Sequence, residues 1–434
     1  MLLGVGVLVN YGDRVNISVA HDALHSEFGI STVAFGYLLS AFNWTYALAQ
    51  LPMGVLLDKF GVKQIGRIGS FLWSAATFGA SVAPSLGSFF AMRLLLGIGE
   101  APIFPSNAKA IGEWFPRGEL SLATAIFDSA AKLGPAIGVP AVGIILIHYG
   151  WRWSFAATGL ISFLYFLAFC GIYRDPEKDA AVDQNASAGR MRKKGADNVF
   201  AGRMSLISDH ATSAKRAVCT LFTHPANGSA PLSYLLLHRK IVGLVTGFFG
   251  YNYCFYLFLL WLPTYFSGLK LDPLHSVIYS SVPWLVATLT DLLVGGFLVD
   301  HLIRLGRDES RVRLGVLIGG TAVGLAITGP MFTTNPGIAL VWITISLAGL
   351  SAAAPVGWSI PSLIAPGNSV GKVGSILNTG NQIAGIVAPI ITGYIVGGTN
   401  SFVRAFAVAA LLLVAGIGSY IFLLGRIERL PEQC

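Results

Sequence analysis

The sequence is short of charge. Only 12% of its 434 residues are Asp, Glu, Lys or Arg, about half the share found in ordinary soluble domains. A soluble chain so poor in charge could not cover its surface with polar groups, which excludes a soluble enzyme and a disordered protein. Cysteine is scarce as well. Cys170, Cys219, Cys254 and Cys434 lie far apart, with no CxxC pair and no ligand spacing, so neither a disulfide scaffold nor a metal site is expected. No basic stretch precedes the first apolar run, which begins at Met1; a cleavable signal peptide is not expected, and a short cytoplasmic leader ahead of Met1 is left open. What the chain has in abundance is apolar: 54% hydrophobic residues, 51 glycines and 27 phenylalanines, with a mean hydropathy of +0.67. That composition is that of a polytopic helical membrane protein.

A helix needs about 20 apolar residues to cross the hydrocarbon core. Apolar runs of that kind fall near 2–20, 33–56, 65–83, 86–109, 120–147 and 153–173, then 240–266, 277–300, 314–332, 337–361, 373–397 and 402–424. The expected organisation is a six-helix half over 1–173, a linker over 174–239, a second six-helix half over 240–424 and a tail over 425–434. The net charge of +8 could suggest nucleic acid in a soluble chain, but here the bases collect on one side. Lys59, Lys63, Arg67, Arg117, Arg304, Arg307, Arg311, Arg313, Lys372, Arg426 and Arg429 share it with the linker, whereas the opposite loops hold only Arg152, Lys270 and Arg404. Positively charged loops stay in the cytoplasm, so both termini and the linker are expected there, with lipid rather than nucleic acid as the partner.

The halves repeat. Gly54-Val-Leu-Leu-Asp58 follows the second run and Gly296-Phe-Leu-Val-Asp300 follows the eighth, and Asn10-Tyr11 is echoed by Asn252-Tyr253. Two parallel six-helix repeats suggest a transporter that rocks around a central site. The stretch Gly54-Val-Leu-Leu-Asp58-Lys59-Phe60-Gly61-Val62-Lys63-Gln64 resembles the loop motif of the major facilitator superfamily, with Gln64 where a base is usual. In such a motif Gly54 would let helices approach, and Asp58 could pair with nearby bases or a helix N-terminus to hold one conformation. Three further stretches narrow the likeness: Asn10-Tyr11-Gly12-Asp13-Arg14; Arg93-Leu-Leu-Leu-Gly97-Ile-Gly99-Glu100-Ala101-Pro102-Ile-Phe104-Pro105 with Trp114-Phe115-Pro116-Arg117; and Gly374-Ser-Ile-Leu-Asn378-Thr-Gly380-Asn381-Gln382-Ile-Ala-Gly385-Ile-Val-Ala-Pro389. These resemble the anion:cation symporter family, especially bacterial proton-coupled transporters of glucarate, galactonate and hexuronates. The resemblance implies an all-α major facilitator fold of twelve transmembrane helices and no enzyme activity. It further implies no cofactor, protons as the coupling ion, and a monomer in a bacterial inner membrane.

A charge at the middle of a spanning helix costs about 2.5–3.5 kcal/mol on insertion scales, so each needs a partner or a task. Arg93 and Glu100 are seven residues apart and share one helix face. They could form an ion-pair network that fixes packing; the favoured reading is that Arg93 binds a carboxylate while Glu100 carries a proton, the roles that the resemblance implies. Tyr11 and Arg14 share a face of the first helix, with Asp13 turned about 100° away. The resemblance implies that Arg14 binds substrate, Asp13 is a second protonation or relay site, and Tyr11 and Tyr46 are pocket hydroxyls; Asp13 and Arg14 could instead be gate pairs at the outer mouth. It also implies that Asn378 reaches substrate hydroxyls. Asp128 and Lys132, at i,i+4, either neutralise each other or leave Lys132 to hold a second carboxylate. The galactonate-type pattern has Gln where this chain has Ala131, which unsettles the sugar preference. Asp291 has no evident partner in the sequence and is read either as a packing residue or as a proton relay.

Some patterns are decoys. His21, His25 and Glu27 mimic a metal pair but lack further ligands, and Gly367-Asn-Ser-Val-Gly371-Lys372-Val373 is one residue short of a phosphate loop. The sequons at Asn16, Asn43 and Asn185 face membrane or cytoplasm on this topology. Residues 180–230 read as a basic flexible linker, either diverged or disturbed in reading frame. The expected function is proton-coupled uptake of a small organic anion, a hexuronate, aldonate or aldarate, by alternating access. Transport of tartrate or a phthalate-like acid, or drug/proton antiport, remains the alternative.

Overall fold

Lipid offers a backbone no hydrogen bonds, so a spanning chain must satisfy its peptide groups within its own helices. A computed structural model describes residues 2–107, 120–174, 230–366 and 369–431, and the described parts of all twelve apolar runs fall on helical segments. The first half comprises α1 (Leu2–Val19), a short connecting α2 (His21–Phe28), α3 (Thr32–Ser81), α4 (Leu86–Glu100), α5 (Leu120–Tyr149) and α6 (Trp151–Ile172). The second comprises α7 (Leu232–Leu237), α8 (Arg239–Gly268), α9 (Pro273–Thr290), α10 (Val299–Arg304), α11 (Glu309–Gly324), α12 (Pro336–Ile364), α13 (Val370–Thr399) and α14 (Val403–Ser419). Nine helices among the described residues are long and apolar enough to cross a membrane. α1 and the two arms of α3 carry the other three runs. The linker prediction for 180–230 and the stretch Trp114-Phe115-Pro116-Arg117 lie outside the described residues, apart from Ala230.

Side chains local to each terminus set where the helices start. Ser31 accepts a hydrogen bond from the Ala34 amide at 3.2 Å, Asp308 from Arg311 at 2.8 Å, and Asn335 from Gly337 at 2.9 Å; each satisfies a donor that the first helical turn leaves free. α3 spans 50 residues, far too long for one crossing, and it breaks at Gly61, where φ is +79°. A Cβ is strained there, so the loop-motif glycine is the residue that lets the two arms meet. Lys59 of the same motif lies exposed, its ammonium 5.2 Å from the centre of the Phe60 ring, and Lys63 is engaged by a neighbour. The side chain of Asp58 and the packing of Gly54 lie outside what is described. Asp300, in α10, makes no ion pair among the described residues.

The halves meet along three pairs, α1 with α8, the first arm of α3 with α13, and α5 with α9. Their contacts concentrate at the end away from the basic loops. Gly36 packs so near α13 that a Cβ would stand 2.7 Å from the Pro389 carbonyl oxygen. Ser267 donates to Asp22 at 2.7 Å, the Tyr37 and Tyr394 hydroxyls meet at 3.2 Å, and Asn43 donates to the Gly385 carbonyl at 3.0 Å. That end is closed. One further feature shapes the middle of the bundle: between α9 and α10 the helix widens into a π-helical stretch, Asp291–Leu298.

Candidate functional site

Between the halves lies a cavity lined by side chains of both. α1 turns Tyr11 and Arg14 towards it, α3 Tyr46, α5 Asp128 and Lys132, and α13 Asn378, Asn381 and Gln382. α8 and α12 complete the wall with Tyr251, Asn252, Tyr256 and Trp358. Almost every side chain that a solute would meet is an aromatic, an amide or one of two cations.

Arg14 is 3% exposed. Its Nε donates to Glu100 Oε2 at 2.9 Å, and its guanidinium carbon stands 4.6 Å from the centre of the Tyr11 ring, 4.4 Å from that of Phe42 and 5.1 Å from that of Tyr46. Such faces attract a guanidinium by about 0.5–2 kcal/mol each, so three rings aim the fork. Nη2 is buried with no hydrogen-bond partner among the described residues, and the same holds for Glu100 Oε1. A buried guanidinium that lines a cavity is a docking point for a carboxylate, which the planar fork matches in geometry.

Lys132, buried at 2% exposure, carries the second positive charge. Its Nζ lies 2.5 Å from Asp128 Oδ2 and 3.4 Å from Asp291 Oδ2. Opposite the cations the amides form a shelf. Asn378 donates to Gln50 at 3.3 Å, Gln382 donates to Asn378 at 3.5 Å, and Asn252 donates to Asn381 at 2.6 Å. Two cations on one side and amides on the other suit a molecule with carboxylate and hydroxyl groups.

The Major Facilitator Superfamily model matches residues 3–389. The chain belongs to the major facilitator superfamily. It is 35% identical to an uncharacterized transporter, YybO, of Bacillus subtilis, over 99% of this chain and 94% of the relative. It is also 30% identical to the probable galactarate/D-glucarate transporter GudP of the same organism, over 97% and 90%. Among solved structures it superimposes on a D-xylose–proton symporter with a TM-score of 0.73 at 14% identity, over 99% and 97% of the two chains, a likeness of fold. The protein is an integral, multi-pass membrane transporter and not an enzyme.

In this major facilitator transporter the residues expected from the sequence separate into two places. Tyr11, Arg14, Tyr46, Lys132 and Asn378 line the cavity. Arg93, Glu100 and Asp13 do not. Glu100, fully buried, forms its ion pair with Arg14 of α1 rather than with Arg93, seven residues earlier on its own helix. Arg93 itself is 2% exposed, has no ion pair or hydrogen bond among the described residues, and stands 5.8 Å from the centre of the Phe42 ring. Asp13 points into the first half, where Trp73 Nε1 and Ser162 Oγ, the latter at 2.6 Å, donate to its Oδ2. Asp291, without a partner in the sequence, has one in space: Lys132. Phe42, Trp73, Tyr251 and Tyr256 are site residues that the sequence reading missed. Only the Asn10-Tyr11 and Asn252-Tyr253 echo pointed towards α8, and it pointed one residue off, since Asn252 faces the cavity while Tyr253 is wholly buried.

Proposed function

We propose that this transporter takes up a sugar acid, a hexuronate, aldonate or aldarate, together with protons, by alternating access. The observation that carries it is Arg14, a buried guanidinium that lines the central cavity. A cation-binding efflux pocket would offer unpaired acids there instead. The name of the relative that handles galactarate and D-glucarate supports the polyhydroxy acid, for which the amide shelf supplies donors and acceptors. Charge balance supports the protons: an anion moving into a negative cytoplasm costs about 2.3 kcal/mol per charge per 100 mV unless protons accompany it. In this scheme Arg14 holds the carboxylate, Arg93 strengthens the local positive field, and Glu100 and Asp13 carry protons. Asn378 and the two tyrosines, Tyr11 and Tyr46, orient the hydroxyls. The protein works as a monomer in a bacterial inner membrane, with the basic loops, both termini and the linker in the cytoplasm.

Uptake of radiolabelled glucuronate, galacturonate, glucarate, galactonate, tartrate and phthalate into proteoliposomes, driven by an inward proton gradient, tests the proposal. One sugar acid accumulates, and Arg14→Ala abolishes its accumulation. Accumulation of tartrate or phthalate alone moves the substrate outside the sugar acids. No uptake of any acid by folded protein overturns the proposal in favour of drug/proton antiport.

A further inference from the structure

Near the middle of the membrane one ammonium faces two carboxylates that come from opposite halves. Lys132 Nζ and Asp128 Oδ2, both on α5, are 2.5 Å apart, a full ion pair. Asp291, from the second half, approaches the same Nζ only to 3.4 Å. It is 1% exposed, and neither of its oxygens receives a hydrogen bond from a described residue. The other groups around it do not supply a charge. Among the described residues, Tyr251 of α8 is within electrostatic range of all three groups and Tyr11 of α1 within range of Lys132. α12, which packs against the π-helical stretch that Asp291 opens, has no titratable side chain along Pro336–Ile364. A single extra π turn is frequent at functional positions, and here it presents a carboxylate to a cation already paired.

With every group charged, the cluster is negative by one. Lys132 also lines the cavity, where a second substrate carboxylate can reach it. That arrival would put three carboxylates around one ammonium in a buried place, and buried charge without compensation is expensive. A proton taken up by Asp291 restores the original balance: the substrate carboxylate occupies the place at Lys132, and Asp291 becomes a neutral acid.

We propose that Asp291 and Lys132 form a proton-exchanged seat for the second carboxylate of an aldarate, so that a dicarboxylate is bound with one more proton than a monocarboxylate of the same length. This rests on the sugar-acid reading and adds to it a preference and a coupling residue. Proton-linked binding makes affinity weaken as pH rises, with a slope of about one decade per pH unit for each proton taken up.

The test is calorimetric binding of galactarate and of galactonate to the purified full-length protein across neutral pH. In the wild type, log Kd for galactarate rises more steeply with pH than for galactonate, by about one unit. Asp291→Asn removes that difference, Asp291→Glu keeps it, and Lys132→Gln weakens galactarate at least tenfold relative to galactonate. Equal slopes for the two acids in the wild type overturn the inference without any variant, as does an extra slope that survives in Asp291→Asn. Binding of galactonate without galactarate also overturns it, yet leaves the sugar-acid reading standing. Binding of neither acid removes both.

Discussion

Glu100→Gln isolates the contest for Arg14. In the structure Glu100 holds Nε at 2.9 Å while three aromatic rings keep the guanidinium in place, so an incoming carboxylate must share or win the cation. Breaking a buried pair is worth about 3–5 kcal/mol. At the lower end, a substrate that displaces ionised Glu100 loses a factor of about 10² in affinity relative to one that meets a protonated Glu100. The substituted amide is permanently neutral, and its oxygen can still accept the Nε hydrogen bond, so folding should lose no more than about 1–3 kcal/mol. The expected protein binds the sugar acid near the tight limit, with most of the pH dependence of monocarboxylate binding gone. It exchanges labelled for unlabelled substrate across a proteoliposome membrane but does not accumulate substrate on a proton gradient. Counterflow and gradient-driven uptake, measured side by side with calorimetric binding, read all three properties. Accumulation at the wild-type level, or a pH dependence equal to that of the wild type, would refute Glu100 as the competitor and proton carrier at Arg14.

Two other predictions concern the scaffold. Gly36→Val adds a branched side chain where even a Cβ meets the Pro389 carbonyl; overpacking of about 1–3 kcal/mol shifts the balance away from closure of that end by about 5- to 150-fold. Spin labels at the exposed residues His25 and Lys270, one in each half at that end, should then lie farther apart than in the wild type, and an unchanged distance distribution would refute the close packing. Trp73→Phe deletes the indole donor to Asp13 and leaves Ser162 as its hydrogen-bond partner. The expected cost is about 1–3 kcal/mol, read as a lower Tm, and a thermal stability equal to that of the wild type would refute a Trp73 bond of that strength.

The fold was legible because lipid removes choices. A run of about 20 apolar residues must be helical, and every such run in this chain is, wherever it is described. What stayed hidden was helix rotation. The spacing of Arg93 and Glu100 places both on one face, but a shared face says nothing about what stands opposite, and Arg14 of another helix stood closer. Asp13 and Arg14 are neighbours in sequence, yet the angle of about 100° between them sends one into the first half and the other into the cavity. Aromatic site residues were illegible for a different reason. In a chain with 27 phenylalanines, nothing marks Phe42 as the ring beneath a guanidinium. Trp73, wholly buried, reads as core until its Nε1 is seen to face a carboxylate. Asp291 needed three dimensions most of all, since its partner lies in the other repeat of a chain whose halves meet only when folded.

The two contested cations differ in one respect that bears on how protons and substrate are coupled. Arg14 and Glu100 belong to the same half, so a rocking motion carries them together, and their pairing responds to occupancy of the site alone. Lys132 and Asp291 belong to different halves, so their 3.4 Å contact exists only in arrangements that bring α5 and the π-helical stretch after α9 together at that level. A ligand shifts a conformational equilibrium by its difference in affinity between the two states, and by nothing else. On the proposed scheme, substrate at Arg14 changes the proton load of the pocket with little direct bias on the rocking. A second carboxylate at Lys132 replaces an interaction between the halves, which alters both the proton load and the relative stability of the two arrangements. For a dicarboxylate held as proposed, proton uptake and release of the halves would be the same event.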